Sequence, residues 1–397
     1  MNKLRILAVV AAATALWACS NTSKTQFMPL PALDLMPITQ SEVKPMVPEG
    51  SVSVSTLGGD FDFDVFKALR SRQSICVSPF SLGAVLSMAA EGAGGATAEQ
   101  MWKVLGRDYS ASPQNKTVKV ANSVWVNKQV TLYQDYKKTV QNKYTSEVYN
   151  KDFGQRSFIG DVNRWCSKNT NGKIPSILDQ VDPDMQMLLL NAVYFYDKWE
   201  SPFTRTDKAP FTCLDGTVQQ VDMMHQTSSL RYCQNDFFQI LELPYESGDM
   251  EMCILLPRPG VAFDDALAAL STTRWEGWRR DLRTVRVRVS MPKFKLECEM
   301  DFTGLLQDLG MKLAFSNSAD FSLMSSTPLA IGFVKQKTYI DVDEEGTEAA
   351  AVTGLGMRTT SVAPSNIIDF TADRPFFYII RSDSTSDILF LGQVLSL

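Results

Sequence analysis

Residues 344–351 read Glu344-Glu345-Gly346-Thr347-Glu348-Ala349-Ala350-Ala351, the most informative run in this chain. In an extended strand, successive side chains point to opposite faces. With Thr347 taken as inward, the inward residues are all small or apolar: Thr347, Ala349, Ala351, Thr353 and Leu355. The outward residues are Glu348, Ala350, Val352, Gly354 and Gly356. The run therefore predicts a segment that can join a sheet as a strand, because it would bury neither a charge nor a bulky side chain.

Two other interpretations of this run are a helix and an inert flexible loop. Alanine is the best helix former, so the three alanines by themselves favour a helix. Gly346 and the later glycines weaken that helix, as do the β-branched Val352 and Thr353. Gly346 also allows a sharp turn at the point where insertion would begin.

Outside this run, sequence patterns predict helices early in the chain and strands late. Asp60 can cap a helix that ends near Arg70, and Ser78-Pro79 is a strong helix start. Gly92 is expected to end that second helix in a left-handed conformation, and Thr97-Ala98-Glu99-Gln100 to open a third. Predicted strands cover residues 187–196, 240–243, 252–256, 285–289 and 388–391. The order of elements indicates an α+β fold.

Several segments, in order along the chain, together resemble one family, the serpins. They are Ser78-Pro79-Phe80-Ser81, Thr170-Asn171-Gly172-Lys173-Ile174, Asn191-Ala192-Val193-Tyr194-Phe195 with Lys198-Trp199-Glu200, the run at 344–351, and Arg374-Pro375-Phe376. The resemblance covers residues 61–397. It implies a fold with three β-sheets, about nine helices and an exposed reactive-centre loop.

The resemblance also implies a function. A serpin offers its loop as bait to a serine protease, or alternatively to a cysteine protease, and forms an acyl-enzyme. The cut loop then enters the main sheet and distorts the protease before it is released. Such an inhibitor is not an enzyme, needs no cofactor or metal, and is expected to be a monomer. The alternative is a non-inhibitory serpin that acts as a binding or carrier module.

Site residues follow from the same resemblance. Residues 344–351 match the hinge of the loop. Ser78, Ser81 and Asn191 match a hydrogen-bonded cluster under the sheet, where Gln336 stands in place of the family's histidine. Glutamine donates and accepts hydrogen bonds but does not titrate near neutral pH. Trp199 matches a tryptophan at the top of the sheet, where insertion starts.

The reactive bond is predicted by two arguments that disagree. The family's usual spacing from the hinge leads to Thr360-Ser361. Side-chain chemistry favours Arg358-Thr359, because Arg358 is the only basic residue between Glu348 and Arg374. A trypsin-like pocket with a buried carboxylate would bind Arg358 through a bidentate ion pair. We prefer Arg358-Thr359 as the hypothesis.

Composition excludes several other classes of protein. The 397 residues include one histidine, and the formal net charge is −5, which argues against a nucleic-acid partner. A Ser-His-Asp site would have to use His225, and we expect this residue to be structural. The six cysteines after Cys19 include no Cys-x-x-Cys pair, so we interpret them as small buried residues, although disulfides are not excluded.

The amino-terminal region predicts export. Residues 1–18 carry a short positive start and an apolar run too short to span a bilayer, which is typical of a signal peptide. Leu16-Trp17-Ala18-Cys19 resembles the bacterial lipoprotein box, which would make Cys19 the lipidated residue. Residues 19–50 contain five prolines and read as a tether, and residues 51–397 as one domain. We therefore expect a bacterial lipoprotein, held through its lipid at the periplasmic side of a membrane or at the cell surface.

Overall fold

The fold contains a seven-stranded sheet, a nine-stranded sheet and helices that pack against both. The computed structural model describes residues 60–110, 117–144, 146–347 and 367–397, all within the unit Pro45–Leu397. The described helices are α1 (Phe61–Leu69), α2 (Pro79–Ala90), α3 (Gly95–Leu105), α4 (Gln134–Tyr144), α5 (Phe158–Asn169), α6 (Phe263–Ala269), α7 (Thr272–Asp281) and α8 (Thr303–Asp308), with a 3₁₀ turn at Leu313–Phe315.

Sixteen strands are formed by the described residues. They are β1 (Ile75–Val77), β2 (Val118–Asn127), β3 (Glu147–Lys151), β4 (Met187–Phe195), β5 (Asp197–Lys198), β6 (Arg205–Thr212), β7 (Val218–Gln234), β8 (Phe238–Pro244), β9 (Met250–Pro257), β10 (Arg283–Pro292), β11 (Phe294–Asp301), β12 (Ile331–Val342), β13 (Gly346–Thr347), β14 (Ile368–Thr371), β15 (Phe376–Ser382) and β16 (Ile388–Val394). The predicted α+β class is confirmed.

The strands pair in two hydrogen-bonded sheets. The seven-stranded sheet has the order β3-β2-β4-β12-β13-β5, with β11 on the other edge of β12. The nine-stranded sheet has the order β1-β16-β15-β9-β8-β7-β10-β14, with β6 beside β7. In the described residues the 17-residue β7 pairs with β6 and β10 along one part and with β8 near its end, so it joins into one sheet what the resemblance counts as two.

β4 is buried on both faces, which explains its unbroken apolar run. Met187, Leu189, Val193 and Phe195 belong to the main core, whereas Leu188, Leu190, Ala192 and Tyr194 pack in a second core that includes side chains of α5. Asn191 is the one polar residue of this strand, and it is fully buried. A buried amide in such a strand requires hydrogen-bond partners.

The helix starts were predicted with mixed success. α2 begins at Pro79, and the Ser78 hydroxyl accepts from the Ser81 N–H, as expected. α1 is also present, but Asp60 makes no side-chain cap; its carboxylate instead accepts from the backbone and hydroxyl of Thr272, at the start of α7.

Two further predictions at helix ends were wrong. α3 begins at Gly95, so Thr97 lies inside the helix rather than capping it. Gly92 does not have a positive φ. It is needed for space instead, because an added Cβ would lie 2.6 Å from the Met324 side chain. Close packing between elements, and not local turn chemistry, explains this glycine.

The six cysteines of the described region are all free and buried, in agreement with their interpretation as small core residues. No helix in the described ranges is both long and apolar enough to span a membrane.

Candidate functional site

The hinge begins inside the seven-stranded sheet. Gly346 and Thr347 form β13, which pairs with Val342 of β12 on one side and with Asp197 and Lys198 of β5 on the other. Thr347 is fully buried, and its hydroxyl lies 2.6 Å from the hydroxyl of Tyr245. The hinge therefore enters the sheet with Thr347 on its inward face.

Gly346 is required at this point by the closeness of the neighbouring backbone. A Cβ on Gly346 would lie 2.2 Å from the Asp197 carbonyl oxygen and 2.6 Å from the Lys198 Cα. Gly346 does not have a positive φ, so the sharp turn expected from the sequence is not the reason for glycine. Any side chain here would push β13 away from β5.

Hydrogen bonds hold the acidic residues Asp343 and Glu344, where the hinge begins. The Asp343 carboxylate accepts from the backbone N–H groups of Glu345 (2.9 Å) and Gly346 (3.2 Å). The Glu344 carboxylate lies 2.6 Å from Lys293 Nζ and accepts from the Thr206 hydroxyl at 2.5 Å. Burial alone would raise the pKa of Glu344, but the hydrogen bonds from Lys293 and Thr206 hold it below its usual value. The ionised carboxylate is therefore part of the hinge's anchor.

Trp199 packs against the start of the hinge and is hydrogen-bonded to it. Its indole N–H donates to the Asp343 carbonyl (2.9 Å), and its backbone N–H donates to the Glu345 carbonyl (2.9 Å). The ring stacks on Tyr245 with centroids 4.5 Å apart, and only 3% of the residue is exposed. Tyr245 thus contacts both Trp199 and Thr347, so these side chains pack as one unit at the hinge.

Below the hinge, β4 and β12 pair in parallel along a seam from Met187–Ile331 to Tyr194–Tyr339. They hydrogen-bond to each other directly, so no strand separates them. At the upper end of the seam, β13 pairs with Val342 beyond the last β4 pair. A chain that continues from Thr347 along β12 would therefore run into the seam.

A polar cluster lies under the seam and consists of Ser78, Ser81, Asn122, Asn191 and Gln336. Gln336 Nε2 donates to Asn191 Oδ1 (2.6 Å) and to the Ser78 carbonyl (2.9 Å), while its Oε1 accepts from the Ser78 N–H (2.8 Å). Asn191 Nδ2 donates to Ser81 Oγ and Asn122 Oδ1. The amide of Gln336 thus connects β12 to β4 and to the start of α2. No member of this cluster titrates near neutral pH.

Asn122 is the cluster member that the sequence analysis missed. It lies on β2 directly opposite Asn191 in the antiparallel register, and its Oδ1 also accepts from the Ser81 hydroxyl at 3.0 Å. A polar residue in the middle of a buried strand was the available signal. Nothing in the sequence alone shows that Asn122 and Asn191 share a register.

His225 makes contacts that match a Ser-His-Asp site in composition. Its Nδ1 lies 2.9 Å from Ser290 Oγ and its Nε2 lies 3.0 Å from Asp207 Oδ1. The hydrogen bond from His225 is the largest cause that lowers the pKa of Asp207.

The three residues nevertheless lie on three adjacent strands of one sheet face, and Ser290 is paired with β7 on one side and β14 on the other. Its backbone groups belong to these ladders and form no oxyanion hole. The arrangement supports the structural interpretation of His225.

Other predicted site residues lie outside the described part of the chain. These are Glu348, Ala349, Ala350 and Ala351 of the hinge, the reactive-bond candidates Arg358, Thr359, Thr360 and Ser361, and the lipidation residue Cys19.

Comparisons with known proteins agree with this geometry. A family model described as "Serpin (serine protease inhibitor)" matches residues 57–397. The leukocyte elastase inhibitor of Bos taurus is 34% identical over 85% of this chain and 97% of its own length. The native-state structure of Tengpin, a thermophilic serpin, has a TM-score of 0.79 at 28% identity and covers 89% of this chain and 97% of its own. Human thyroxine-binding globulin, in its complex with its ligand, has a TM-score of 0.76 at 26% identity and covers 85% of this chain and 96% of its own.

Proposed function

This chain belongs to the serpin family, and we propose that it is a suicide inhibitor that traps a serine protease, most naturally a trypsin-like one, as an acyl-enzyme. Its relatives include proteins named as protease inhibitors. The protease serine would attack the carbonyl carbon of Arg358 and expel the amine of Thr359, leaving an ester between enzyme and loop. The freed loop would then enter the seam as a new strand.

The register of the hinge is the observation that carries this proposal. Thr347 lies opposite Val342 in an antiparallel pairing, so each later residue would lie one position further back along β12. Ala349 would then face Ile340, Ala351 would face Thr338, and Thr353 would face Gln336. Directly opposed residues in a ladder share one face of the sheet. Val342, Ile340, Thr338 and Gln336 are all buried, so the small inward residues of the loop would fall on the core face.

Insertion along this register would also rearrange the polar cluster. The new strand would separate β12 from β4, and therefore Gln336 from Asn191, while keeping Ser78 and Gln336 on one side. The parallel seam pairs would be replaced by two antiparallel ladders. The sheet would gain one strand, and the backbone groups of the loop would gain hydrogen-bond partners in it. This gain is the source of the free energy that would hold the protease.

A gel experiment with trypsin tests this function. We expect a covalent complex that survives SDS, and mass spectrometry should place the cleavage after Arg358. Cleavage only after Met357 or Thr360 would remove Arg358 from this role. The cut protein alone should melt at a higher temperature than the uncut one, because a strand is added to the sheet.

The second candidate is a carrier or binding module without inhibitory activity. The likeness to thyroxine-binding globulin, whose structure is a complex with thyroxine, favours it. In that case trypsin would cut the loop, no SDS-stable complex would form, and the melting temperature would stay unchanged. The small, uncharged inward residues of the loop favour inhibition, because a loop that never inserts has no need of them.

We further propose that the protein is exported and anchored by lipid on Cys19. The matched family region begins at residue 57, and the box at 16–19 lies well before it. A single acyl chain gives only weak anchoring, so several are expected. Replacing Cys19 with serine should release the protein from bacterial membranes and abolish its labelling by a palmitate analogue. Release without loss of label would place the lipid elsewhere.

A further inference from the structure

An arginine-rich surface lies on α7 and β10, away from the hinge and the polar cluster. Residues 274–288 contain six arginines and two acidic residues, in a chain with a formal net charge of −5. Such a concentration of one sign creates a local field that opposes the rest of the molecule. The inhibitory mechanism gives this field no role.

Three of these arginines, Arg280, Arg283 and Arg286, form what we call the arginine strip. All three are exposed, and among the described residues none has a carboxylate within ion-pair distance. The other arginines are engaged: Arg279 lies 3.4 Å from Asp383, Arg288 lies 2.8 Å from Asp369, and Arg274 stacks over Phe237.

Arg283 is the member of the strip whose guanidinium is held in position by the backbone. Arg283 Nη1 donates to the carbonyls of Arg280 (2.6 Å) and Leu282 (2.9 Å). Arg286 lies on the exposed face of β10, opposite Ser229 of β7. A cation with a fixed guanidinium loses less conformational entropy on binding a partner than a free one.

The strip lies beside the point where the reactive loop returns to the fold. β14 begins at Ile368, directly after the loop, and pairs in parallel with β10 so that Ile368 is opposite Val287 and Asp369 is opposite Arg288. Arg358 and Ile368 are ten Cα–Cα steps apart in the chain, a reach of at most about 36 Å. A globular protease domain of about 200 residues has a radius of gyration of about 16 Å. A protease bound at Arg358 can therefore present its own surface to the strip.

We propose that the arginine strip is a docking surface for an acidic patch on the target protease, and that it speeds formation of the complex in which the loop is cut. This inference rests on the proposed inhibitory function and adds a property of the partner. A polyanionic polysaccharide would have to reach the strip from solution against the net negative charge of the chain, whereas a protease bound at the loop is already held near it. A protease is brought to this position by the loop itself, so only a few unpaired cations are needed to steer it.

The test compares anionic and cationic trypsin, which share a specificity but differ in surface charge. The measured quantity is the second-order rate of loop cleavage at low and high NaCl. The wild-type protein should be cut about tenfold faster by anionic than by cationic trypsin at low salt, and the difference should vanish at high salt. The triple variant R280E/R283E/R286E should lose this preference, while K103E/K138E/K312E, with the same net charge, should keep it.

Each outcome has a definite meaning. An unchanged preference in the triple variant overturns the docking surface, as does heparin binding that depends on the strip without an effect on cleavage. If the triple variant does not fold, R286Q should still lose part of the preference, and an R286Q rate equal to wild type overturns the proposal. Because the readout is cleavage, a failure to form SDS-stable complexes would reject inhibition without deciding the role of the strip.

Discussion

The two sheets of this molecule are joined in different ways. At the centre of the nine-stranded sheet, β9, β15 and β16 are buried at every position and pair antiparallel, with rings such as Phe377 and Phe390 in the core. At the centre of the seven-stranded sheet, β4 and β12 pair in parallel above a cluster of amides and hydroxyls. Side-chain hydrogen bonds contribute about 1 kcal/mol each, far less than a buried aromatic side chain. The sheet that would open in the proposed mechanism is thus held in part by separable polar contacts.

The nine-stranded sheet also buries charge, but in paired form. Arg381 is fully buried and pairs with Glu251, which lies near Glu242 and Cys253. Burial and the neighbouring Glu242 raise the pKa of Glu251. Because removing one partner of such a pair leaves an uncompensated charge, this arrangement fixes the sheet rather than allowing it to open.

The largest effect is expected from a charge at the hinge. Thr347→Arg would place a guanidinium in the fully buried seat beside Tyr245. An unpaired buried ion costs several kcal/mol, so β13 should leave the sheet in this variant and the loop should not insert past it. Trapping of trypsin should therefore fall about a thousandfold while cleavage continues. The measurement is the fraction of protease recovered as SDS-stable complex. Val218→Arg, at a site 61% exposed on β7, is the matched control and should trap normally. Equal trapping by the two variants would contradict insertion at Thr347.

The next effect is a cavity in the nine-stranded sheet. Phe390→Ala removes a fully buried ring on β16 that lies 6.1 Å from the ring of Phe195. The free energy of unfolding should fall by about 3–5 kcal/mol. Because the proposed insertion does not involve this sheet, the loss should be the same in uncut and loop-cleaved protein, as measured by chemical denaturation. A loss confined to one form would show that the nine-stranded sheet takes part in the transition.

The third effect is a pH dependence of the free energy of unfolding that should not extend to the trapping of the protease. Asp62 on α1 is largely buried near Asp387, Asp60 and Arg107, and it accepts a hydrogen bond from the Tyr109 hydroxyl (2.9 Å). Burial, the largest cause, raises its pKa to about 6. Since the folded state then holds its proton more tightly than the unfolded chain, this group's contribution is full below about pH 4 and is lost as the pH rises through 6.

Asp62→Asn should remove up to about 3 kcal/mol of this decline in the free energy of unfolding between pH 4 and 7. Denaturation curves across that range provide the measurement. The control is Asp264→Asn, which breaks an exposed pair with Arg72 at 2.9 Å and should leave the pH profile unchanged. The trapping yield should be the same in the Asp62 variant and the wild type, because the polar cluster has no titratable member. A trapping yield that changes with the Asp62 variant would connect the two regions.

The smallest effect is expected from the polar cluster itself. Asn191→Ala removes hydrogen bonds to Ser81, Asn122 and Gln336. We expect a loss of about 1–2 kcal/mol in the uncut form and less in the cleaved form, in which Asn191 and Gln336 would be separated. Thermal denaturation of the two forms measures this difference. Ser228→Ala, which breaks a hydrogen bond to Gln226 on β7, should affect both forms equally. An equal loss of stability in the uncut and cleaved forms of Asn191→Ala would argue against a role of the polar cluster in opening the seven-stranded sheet.

Patterns read from the sequence predicted the strands β4, β8 and β9 and the helix α2 because their signals are local. Apolar runs and a Ser-Pro start are properties of neighbouring residues. The predictions about Gly92, Thr97 and the cap at Asp60 were wrong for one common reason. Each of these residues is positioned by a distant element: the Met324 side chain for Gly92, Asp320 for Thr97, and Thr272 for Asp60.

The hinge shows the same division. The sequence alone determines that the inward residues Thr347, Ala349 and Ala351 are small and uncharged, because size and charge are properties of the side chain itself. That Gly346 lies against the backbone of β5, that Thr347 meets Tyr245, and that Asn122 completes the cluster was decided only by the tertiary structure. These partners are separated from one another by about 70 to 150 residues, and strand register and packing alone bring them within hydrogen-bond distance.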